Sequence, residues 1–510
     1  MHKNSIYSTI LSLIISLLGF INYIVLAKLF GLSGQIDEYL IASSIPILVT
    51  GLLVSALSYS AVPYIVSKQK EKDYMAYVAS FLLGITCSAF IVLITGIIIS
   101  PILVDILGRN LNNFTKSRIL EVTEIFWIIG FTNIIIAALT AIHNLNKSFI
   151  SPLIYGSIFP YVGMIIASIY FGKTYGIKVV PLGMLCGTVV AIPFLYYKYR
   201  GLVYCYKEAW VKRYDVLKYI AKLPKVMISM LCFTVFQSID SYWAPKIGVG
   251  NLAALGYAQR MLIGFGALVI TGPSILILPK LSELHVSNEN QIILDYVERA
   301  IKLLLILLIP IIVIVLNYSD IIVVRLFQSG EFSLDDSIQV SRVLKIMIIG
   351  MVPMLSVVII FKALYAKNQI TKSLIIGIAV TLIYFLLSGI MSKIYGLDGI
   401  AYSYTITWTI ILILSLSILW GKNLKYIINK NNILYIFKIT AITSGIILLM
   451  RLIKISISSV IVQRFEMLDV INVLLNLIIY YYLIRNSIKN HDLEIIENII
   501  LHKCRNIKIN

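Results

Sequence analysis

Two ionisable side chains lie inside long apolar stretches of this sequence. Asp240 falls within residues 223–245, and Arg260 falls within residues 251–279. An ionisable group near the middle of a membrane costs about 2.5–3.5 kcal/mol on insertion scales, so it usually faces an opposite charge or a polar cavity. We interpret both residues as facing a water-filled central cavity. A structural ion pair between neighbouring helices is the alternative.

The other reactive residue types predict neither covalent catalysis nor a bound metal. Gly172-Lys173-Thr174 resembles the end of a phosphate-binding loop, but Ala167 stands where that motif needs its first glycine. The five cysteines are odd in number and show no CxxC spacing, which argues against a disulfide framework and a zinc site. The histidines fall in predicted loops or tails, without metal-ligand spacing: His2, His143, His285, His491 and His502. We therefore predict no catalytic residues, no metal and no cofactor.

The composition identifies the class of protein. Of the 510 residues, 59% are hydrophobic and only 13% are charged, and the mean hydropathy is +0.92. An ordinary soluble protein has about 25% charged residues. The chain therefore has too few charges to cover a water-soluble globule. These figures exclude a soluble enzyme and a secreted disulfide scaffold, and they indicate a polytopic membrane protein.

Fourteen apolar stretches are long enough to be membrane spans, which need about 20 residues each. The first follows Met1-His2-Lys3 and has no small-residue cleavage site, so it is predicted to be an anchor and not a removable signal peptide. The predicted spans cover residues 5–30, 38–66, 77–107, 118–142, 149–171, 178–197, 223–245, 251–279, 303–319, 337–361, 373–392, 398–420, 432–453 and 467–484.

Basic residues are distributed unevenly between the predicted loops. If the N-terminus lies in the cytoplasm, the Lys and Arg residues of the cytoplasmic loops outnumber those of the opposite side by more than two to one. This asymmetry predicts cytoplasmic N- and C-termini. The net charge of +19 is thus mainly a topology signal. Its expected partners are anionic membrane lipids, not nucleic acid.

Two segments repeat at a distance of six predicted spans. ALTAIHNLNKSFI at 138–150 and ALYAKNQITKSLI at 363–375 share six of thirteen positions, and each crosses from one span into the next. Because six is even, both copies point the same way through the membrane. The repeat predicts two six-helix lobes related by a pseudo-two-fold axis along the membrane normal, with the substrate between them. Chance similarity between apolar segments is the alternative.

These observations predict an all-α integral membrane protein of about 14 transmembrane helices, in which two C-terminal helices follow the two lobes. The charged stretch at 198–225 is the natural connection between the lobes. The predicted domains are an N-lobe (1–200), a cytoplasmic linker (201–222), a C-lobe (223–420), two additional spans (421–486) and a cytoplasmic tail (487–510).

Several short motifs resemble one family of membrane proteins. SLLGFINYIVLAKLFGLSGQIDEYLIASSIP at 16–46 is similar to the opening of the MurJ-type (MviN-like) lipid II flippases, and further fits are Val62-Pro63, GYAQRM at 256–261, ILPKLSE at 277–283 and LFQSGEF at 326–332. These flippases belong to the multidrug/oligosaccharidyl-lipid/polysaccharide exporter (MOP) superfamily. The resemblance implies transfer of a lipid-linked cell-wall precursor from the inner to the outer leaflet by alternating access.

The resemblance also implies substrate-cavity residues. Arg260 stands at the family's cavity arginine in the eighth span, Asp37 at an acidic position that opens the second, and Lys28 at a basic position that ends the first. Two further cavity arginines of the family are replaced here by Asn22 and Thr50.

Two more positions differ from the family pattern. Gln259 replaces the acid that usually precedes the eighth-span arginine. Sodium-using members place a carboxylate in the seventh span, a position that Asp240 could fill, but 373–392 contains no Asp or Asn to complete such a site. These departures favour a related glycan, such as an O-antigen or capsule repeat unit, and leave sodium coupling open.

We therefore expect a flippase for an undecaprenyl-diphosphate-linked glycan, either lipid II or a related surface-polysaccharide unit, in a bacterial cytoplasmic membrane. It is expected to work as a monomer, driven by the membrane potential or a monovalent cation. One alternative is a cation-coupled multidrug exporter of the same superfamily. The other is a membrane-embedded glycan polymerase or ligase, for which the longest predicted outer loop, 318–336, is short.

Overall fold

The structure, a computed structural model, describes residues 2–421 except 70, 72, 109–110, 147, 200, 202–212, 287–289 and 368. All regular elements within these residues are helical. The predicted spans 432–453 and 467–484 and the predicted tail lie outside the described residues. The helices are α1 (His2–Phe30), α2 (Gly34–Ser67), α3 (Tyr74–Leu107), α4 (Asn113–Leu145), α5 (Ile150–Leu153), α6 (Phe159–Tyr175), α7 (Val179–Tyr197), α8 (Arg213–Ile220), α9 (Leu223–Ser229), α10 (Leu231–Trp243), α11 (Asn251–Val286), α12 (Asn290–Phe327), α13 (Leu334–Ile349), α14 (Met351–Ala366) and α15 (Ile370–Trp420).

The helices make the chain a multi-pass membrane protein. Among the described residues, seven helical stretches are long and apolar enough to cross a membrane, or eight if the pair α13 and α14, bent by 44°, is counted as one. Two of the seven contain a break at a glycine with positive φ, Gly176 (φ 71°) and Gly396 (φ 58°). Each side of these breaks has room for the roughly 20 residues that a crossing needs.

Helices α6 and α7 form a hairpin whose backbones touch. A Cβ atom on Gly163 would collide with the carbonyl oxygen of Gly183, and one on Gly187 would collide with the backbone of Phe159. Small residues at such contacts let membrane helices approach closely, where dispersion and weak polar contacts hold them together. This hairpin is a rigid support for the side chains that α6 carries.

The described part of the chain forms two compact units. One comprises the described residues of Met1–Ala267, Val323–Met347 and Gln369–Thr407, and the other those of Leu268–Ile322, Ile348–Asn368 and Trp408–Asn510. Every residue predicted to bind substrate lies in the first unit. One apolar cluster of this unit contains buried residues of α2, α3, α4 and α7, together with Tyr219 of α8 and Leu223 of α9.

Helix α8 lies within the predicted linker and is docked by polar as well as apolar contacts. Tyr219 stacks on Tyr64 with ring centroids 4.4 Å apart, and its hydroxyl lies 2.7 Å from that of Ser60. Lys68 donates a hydrogen bond to Asp215 at 3.0 Å. That bond lowers the pKa of the Asp215 carboxyl and raises the pKa of the Lys68 ammonium.

One predicted feature is confirmed and one is corrected. The repeated segments do cross between helices, from α4 to α5 and from α14 to α15. The outer loop expected at 318–336 is wrong: α12 continues to Phe327 and α13 begins at Leu334. Only residues 328–333 connect them. The apolar run that ends near 319 continues as helix because Ile321, Ile322, Val323 and Val324 follow it directly.

Candidate functional site

Arg260 is a charged side chain held by neutral groups. On α11, its Nη2 donates a hydrogen bond to the Tyr161 hydroxyl at 3.3 Å, and its guanidinium carbon lies 5.0 Å from the ring centroid of Tyr23. Among the described residues no carboxylate forms a salt bridge with it. A guanidinium over a tyrosine face is stabilised by a cation–π interaction while keeping its positive charge. It can therefore still receive an anion.

Tyr161 reaches Arg260 from a helix with an unusual turn. Residues Ile154–Ile158, between α5 and α6, form one π-helical turn. Pro160 follows it, and a proline lacks the N–H that would bond to the carbonyl four residues earlier. A π turn is rare and is often found at functional sites, since it changes the direction of the side chains beyond it.

Asp240 does not pair with Arg260. The hydroxyl of Tyr384 on α15 donates to its Oδ1 at 2.5 Å, and the amide of Gln259 on α11 donates to its Oδ2 at 2.5 Å. The Asp240 side chain is fully buried. The ion pair considered from the sequence is therefore not formed. Gln259, which replaces the acid of the family pattern, provides a donor to this carboxylate instead.

Asp37 caps a neighbouring helix. Its carboxylate accepts hydrogen bonds from the backbone N–H groups of Gly250 at 2.6 Å and Ala253 at 2.8 Å, where α11 begins. The next residue, Glu38, receives a bidentate contact from Arg118 of α4. An anionic side chain at a helix N-terminus satisfies free N–H groups and complements the helix dipole. This geometry gives Asp37 a structural role in the described residues, tying α2 to α11.

Backbone segments meet closely where α1 ends. The N–H of Glu331 donates to the carbonyl of Lys28 at 3.0 Å, whereas the Lys28 side chain is exposed. Gly330 (φ 62°) and Gly31 (φ 54°) lie against this contact. A Cβ on Gly330 would collide with the carbonyl oxygen of Lys28, and one on Gly31 with that of Glu331. Gly250 (φ 82°) approaches the carbonyl of Leu32 in the same manner. Three backbone segments are therefore in close contact at this end of α1.

The two positions that lack the family's arginines differ in polarity. Asn22 is buried, and its Oδ1 has no hydrogen-bond partner among the described residues. Thr50 is buried too, but its hydroxyl donates to the carbonyl of Pro46 at 2.7 Å, and its methyl group faces Gly130. Neither side chain adds positive charge near Arg260.

The six predicted cavity residues thus do not form one network of hydrogen bonds and salt bridges within the described residues. No hydrogen bond or salt bridge joins Arg260, Asp240 and Asp37 to one another within the described residues. Likewise, no three His, Cys, Asp or Glu side chains of the described part come together as a metal site would require. The sequence did not indicate the contacts of Tyr161 and Tyr384, because a tyrosine in an apolar helix is ordinary.

Comparison with solved structures defines the fold class. The chain resembles a structure titled "Lipid II flippase MurJ, inward closed conformation" with a TM-score of 0.75 and 18% identity, over 94% of this chain and 99% of that one. It also resembles an inward-facing multidrug resistance MATE family transporter of the MOP superfamily, with a TM-score of 0.66 and 15% identity, over 80% and 94%. The protein is thus a multi-pass membrane protein with a MurJ/MATE-like fold, and its described elements are all helical.

Sequence comparison identifies the family. A family profile described as "Lipid II flippase MurJ" matches residues 26–476. A probable lipid II flippase MurJ of Buchnera aphidicola subsp. Schizaphis graminum is 24% identical over 458 residues, which cover 86% of each chain. The chain belongs to the MurJ lipid II flippase family, as a distant member.

Proposed function

We propose that this protein moves an undecaprenyl-diphosphate-linked glycan, lipid II or a related polysaccharide repeat unit, from the inner to the outer leaflet of a bacterial cytoplasmic membrane. The observation that carries the proposal is the state of Arg260. Its guanidinium contacts Tyr161 and Tyr23, which are neutral, and no described carboxylate forms a salt bridge with it. The relatives and the solved structure that share its family carry the name lipid II flippase.

The chemistry of the cargo fits this site. A diphosphate cannot cross an apolar core unless its charge is compensated. The guanidinium does this well because its planar fork of N–H donors binds two phosphate oxygens at once. The polyprenyl tail can remain in the lipid while only the head group enters the protein. With Asn22 and Thr50 at two former arginine positions, the site should hold its anion less tightly than a family member with all three arginines.

The proposed architecture is the one expected from the sequence. Twelve of fourteen helices form two lobes that alternate between openings to either side, and two C-terminal helices follow them. The close backbone contacts of Gly31 with Glu331 and of Gly250 with Leu32 support a state closed at the end of α1. With both termini in the cytoplasm, that end faces outward. Lys28 and Asp37 then act at this closure and do not bind the head group directly.

The energy source and the partners complete the proposal. Transport is driven by the membrane potential or a monovalent cation, and flux under an imposed potential, with or without sodium, distinguishes the two. Basic residues on the cytoplasmic side contact anionic lipids. The protein works as a monomer.

A multidrug exporter is the second candidate, because the fold also matches a MATE transporter. A buried acid such as Asp240 could in principle receive a lipophilic cation. Both of its oxygens are engaged by Tyr384 and Gln259, however, and Arg260 is a positive charge one residue further along α11. A glycan polymerase or ligase is less well supported, since only residues 328–333 separate α12 from α13 where a catalytic loop was considered.

Complementation tests the proposal and its substrate. The gene is expressed in a strain depleted of its own lipid II flippase and, separately, in one lacking a flippase for O-antigen units. Rescue of the first indicates lipid II, and rescue of only the second indicates a surface-polysaccharide unit. Arg260→Ala should abolish either rescue at normal protein level. Arg342→Gln is the control, because the Arg342 side chain is half exposed and forms a salt bridge with Asp398 at 3.0 Å. Failure in both strains, or full rescue by Arg260→Ala, would refute the proposal.

A further inference from the structure

The guanidinium of Arg260 rests in a pocket made by three residues, which we call the tyrosine seat: Gly19 and Tyr23 of α1 and Tyr161 of α6. Gly19 provides the space, because a Cβ atom there would overlap with Nη2 of Arg260. Tyr23 provides a ring face, and Tyr161 provides a hydroxyl that accepts from Nη2. The seat thus holds the guanidinium by close packing at Gly19, a cation–π contact with Tyr23 and one hydrogen bond with Tyr161.

Both tyrosines are themselves fixed in place. Tyr23 meets Tyr257 edge to face, with centroids 6.0 Å apart and an angle of 86°. Tyr257 is buried, and its hydroxyl donates to the carbonyl of Gly31. Tyr161 follows the π turn and Pro160 on α6, whose backbone packs directly against α7. A group held on rigid elements can hold another side chain in one direction.

The hydrogen bond between Arg260 and Tyr161 is weak enough to be shared with a ligand. Its 3.3 Å length exceeds the usual 2.9–3.0 Å for N–H···O bonds. An ionised phosphate oxygen accepts from a guanidinium in shorter and roughly twice as strong bonds. The seat therefore orients Arg260 without neutralising it.

We propose that Tyr161 is a positioning residue that aims Arg260 at the diphosphate of the cargo, with Gly19 and Tyr23 completing the seat. The inference rests on the proposed function, because it assumes that Arg260 binds an anion. It adds that a long, mobile arginine binds well only when its direction is fixed beforehand, since ordering it otherwise reduces affinity. Because Asn22 and Thr50 replace two of the family's cavity arginines, binding then depends strongly on that preorganisation.

A double-mutant cycle tests the inference. The Kd for undecaprenyl diphosphate is measured for four proteins in nanodiscs: wild type, Arg260→Gln, Tyr161→Phe and the double variant. We expect Arg260→Gln to raise Kd roughly 10- to 100-fold, as for loss of hydrogen bonds to a charged group. Tyr161→Phe should raise Kd about 3- to 10-fold, and should have no effect when Arg260 is already Gln.

The matched control is Tyr170→Phe, the same change on the same helix at a side chain that is 75% exposed, and it should leave Kd unchanged. Gly19→Ala is an independent variant, which should weaken binding in wild type but not beside Arg260→Gln. Thermal unfolding identifies any variant that fails to fold.

Two outcomes would overturn the inference while leaving the anion site intact. One is an unchanged Kd in Tyr161→Phe, and the other is an equal loss of affinity from Tyr161→Phe in both Arg260 backgrounds. An unchanged Kd in Arg260→Gln would instead overturn the anion site itself, and the inference with it.

Discussion

Asp37 accepts a hydrogen bond from the backbone N–H of Gly250 at 2.6 Å, and so a side chain of α2 caps the start of α11. The two residues are 213 positions apart in sequence. The contact helps to fix the placement of α11, and with it the direction from which Arg260 extends.

Loss of the Asp37 charge should destabilise the folded protein. Asp37→Asn keeps the size of the side chain but replaces one of the two oxygens that accept from N–H groups by an NH2 group, and a buried N–H left without its acceptor costs about 1–3 kcal/mol. Thermal unfolding in detergent measures this as a lower Tm. Glu331→Gln is the control, because that side chain is exposed. Equal Tm values for both variants would show that the cap contributes nothing.

The Asp240–Tyr384 contact should behave as a coupled pair. Asp240→Leu leaves the buried Tyr384 hydroxyl without its acceptor, a loss of about 1–3 kcal/mol. Adding Tyr384→Phe removes the stranded group, so the double variant should be more stable than Asp240→Leu alone. Unfolding of the four proteins of this cycle measures the coupling. Strictly additive losses would count against the contact.

Docking of α8 should depend on pH in the acidic range. Lys68 lowers the pKa of Asp215, so the contact stabilises the fold above the ordinary carboxyl pKa of about 3.9 and is lost as pH falls through the lowered value. Because the pair is partly exposed, its effect should be below about 1 kcal/mol. Hydrogen-exchange protection of residues 213–220 should fall with pH in wild type and not in Asp215→Asn. The control Asp105→Asn, which removes the Asp105–Lys116 pair, should retain the wild-type response. A fall of the same size in Asp215→Asn would disprove the assignment.

Topology can be tested with one matched pair of exposed glutamines. In a cysteine-free background, Gln328→Cys should react with a membrane-impermeant thiol reagent in intact cells, because Gln328 lies between α12 and α13 on the proposed outer side. Gln69→Cys, just beyond α2, should react only after the cells are opened. The reverse pattern would invert the proposed orientation.

The sequence predicts the helices better than their interruptions. The fourth span was expected at 118–142, and α4 extends to 113–145 because Asn112 caps it by accepting from the N–H of Thr115. Hydropathy alone does not detect a polar helical end. It also does not reveal the π turn before Pro160 or the bend between α13 and α14, since both depend on packing.

The site shows the same limit. A charge in an apolar span was enough to single out Arg260 and Asp240, but not to identify their partners. Gln259 and Arg260 are consecutive, and successive residues point about 100° apart around an α-helix. Gln259 therefore faces Asp240, while Arg260 faces Tyr161. Tyr161 lies 99 positions away from Arg260, and that pairing depends on the tertiary packing.

Transport by the purified protein shows whether Arg260 binds the diphosphate of a lipid-linked glycan, as we propose. Proteoliposomes containing a fluorescent undecaprenyl-diphosphate-linked disaccharide report the rate at which the label crosses the bilayer. We predict that Arg260→Gln lowers this rate at least about tenfold, which is equivalent to 1.4 kcal/mol. Arg260→Lys should retain part of the wild-type rate, and Arg342→Gln should match it. Wild-type transport by a correctly folded Arg260→Gln protein would contradict the account.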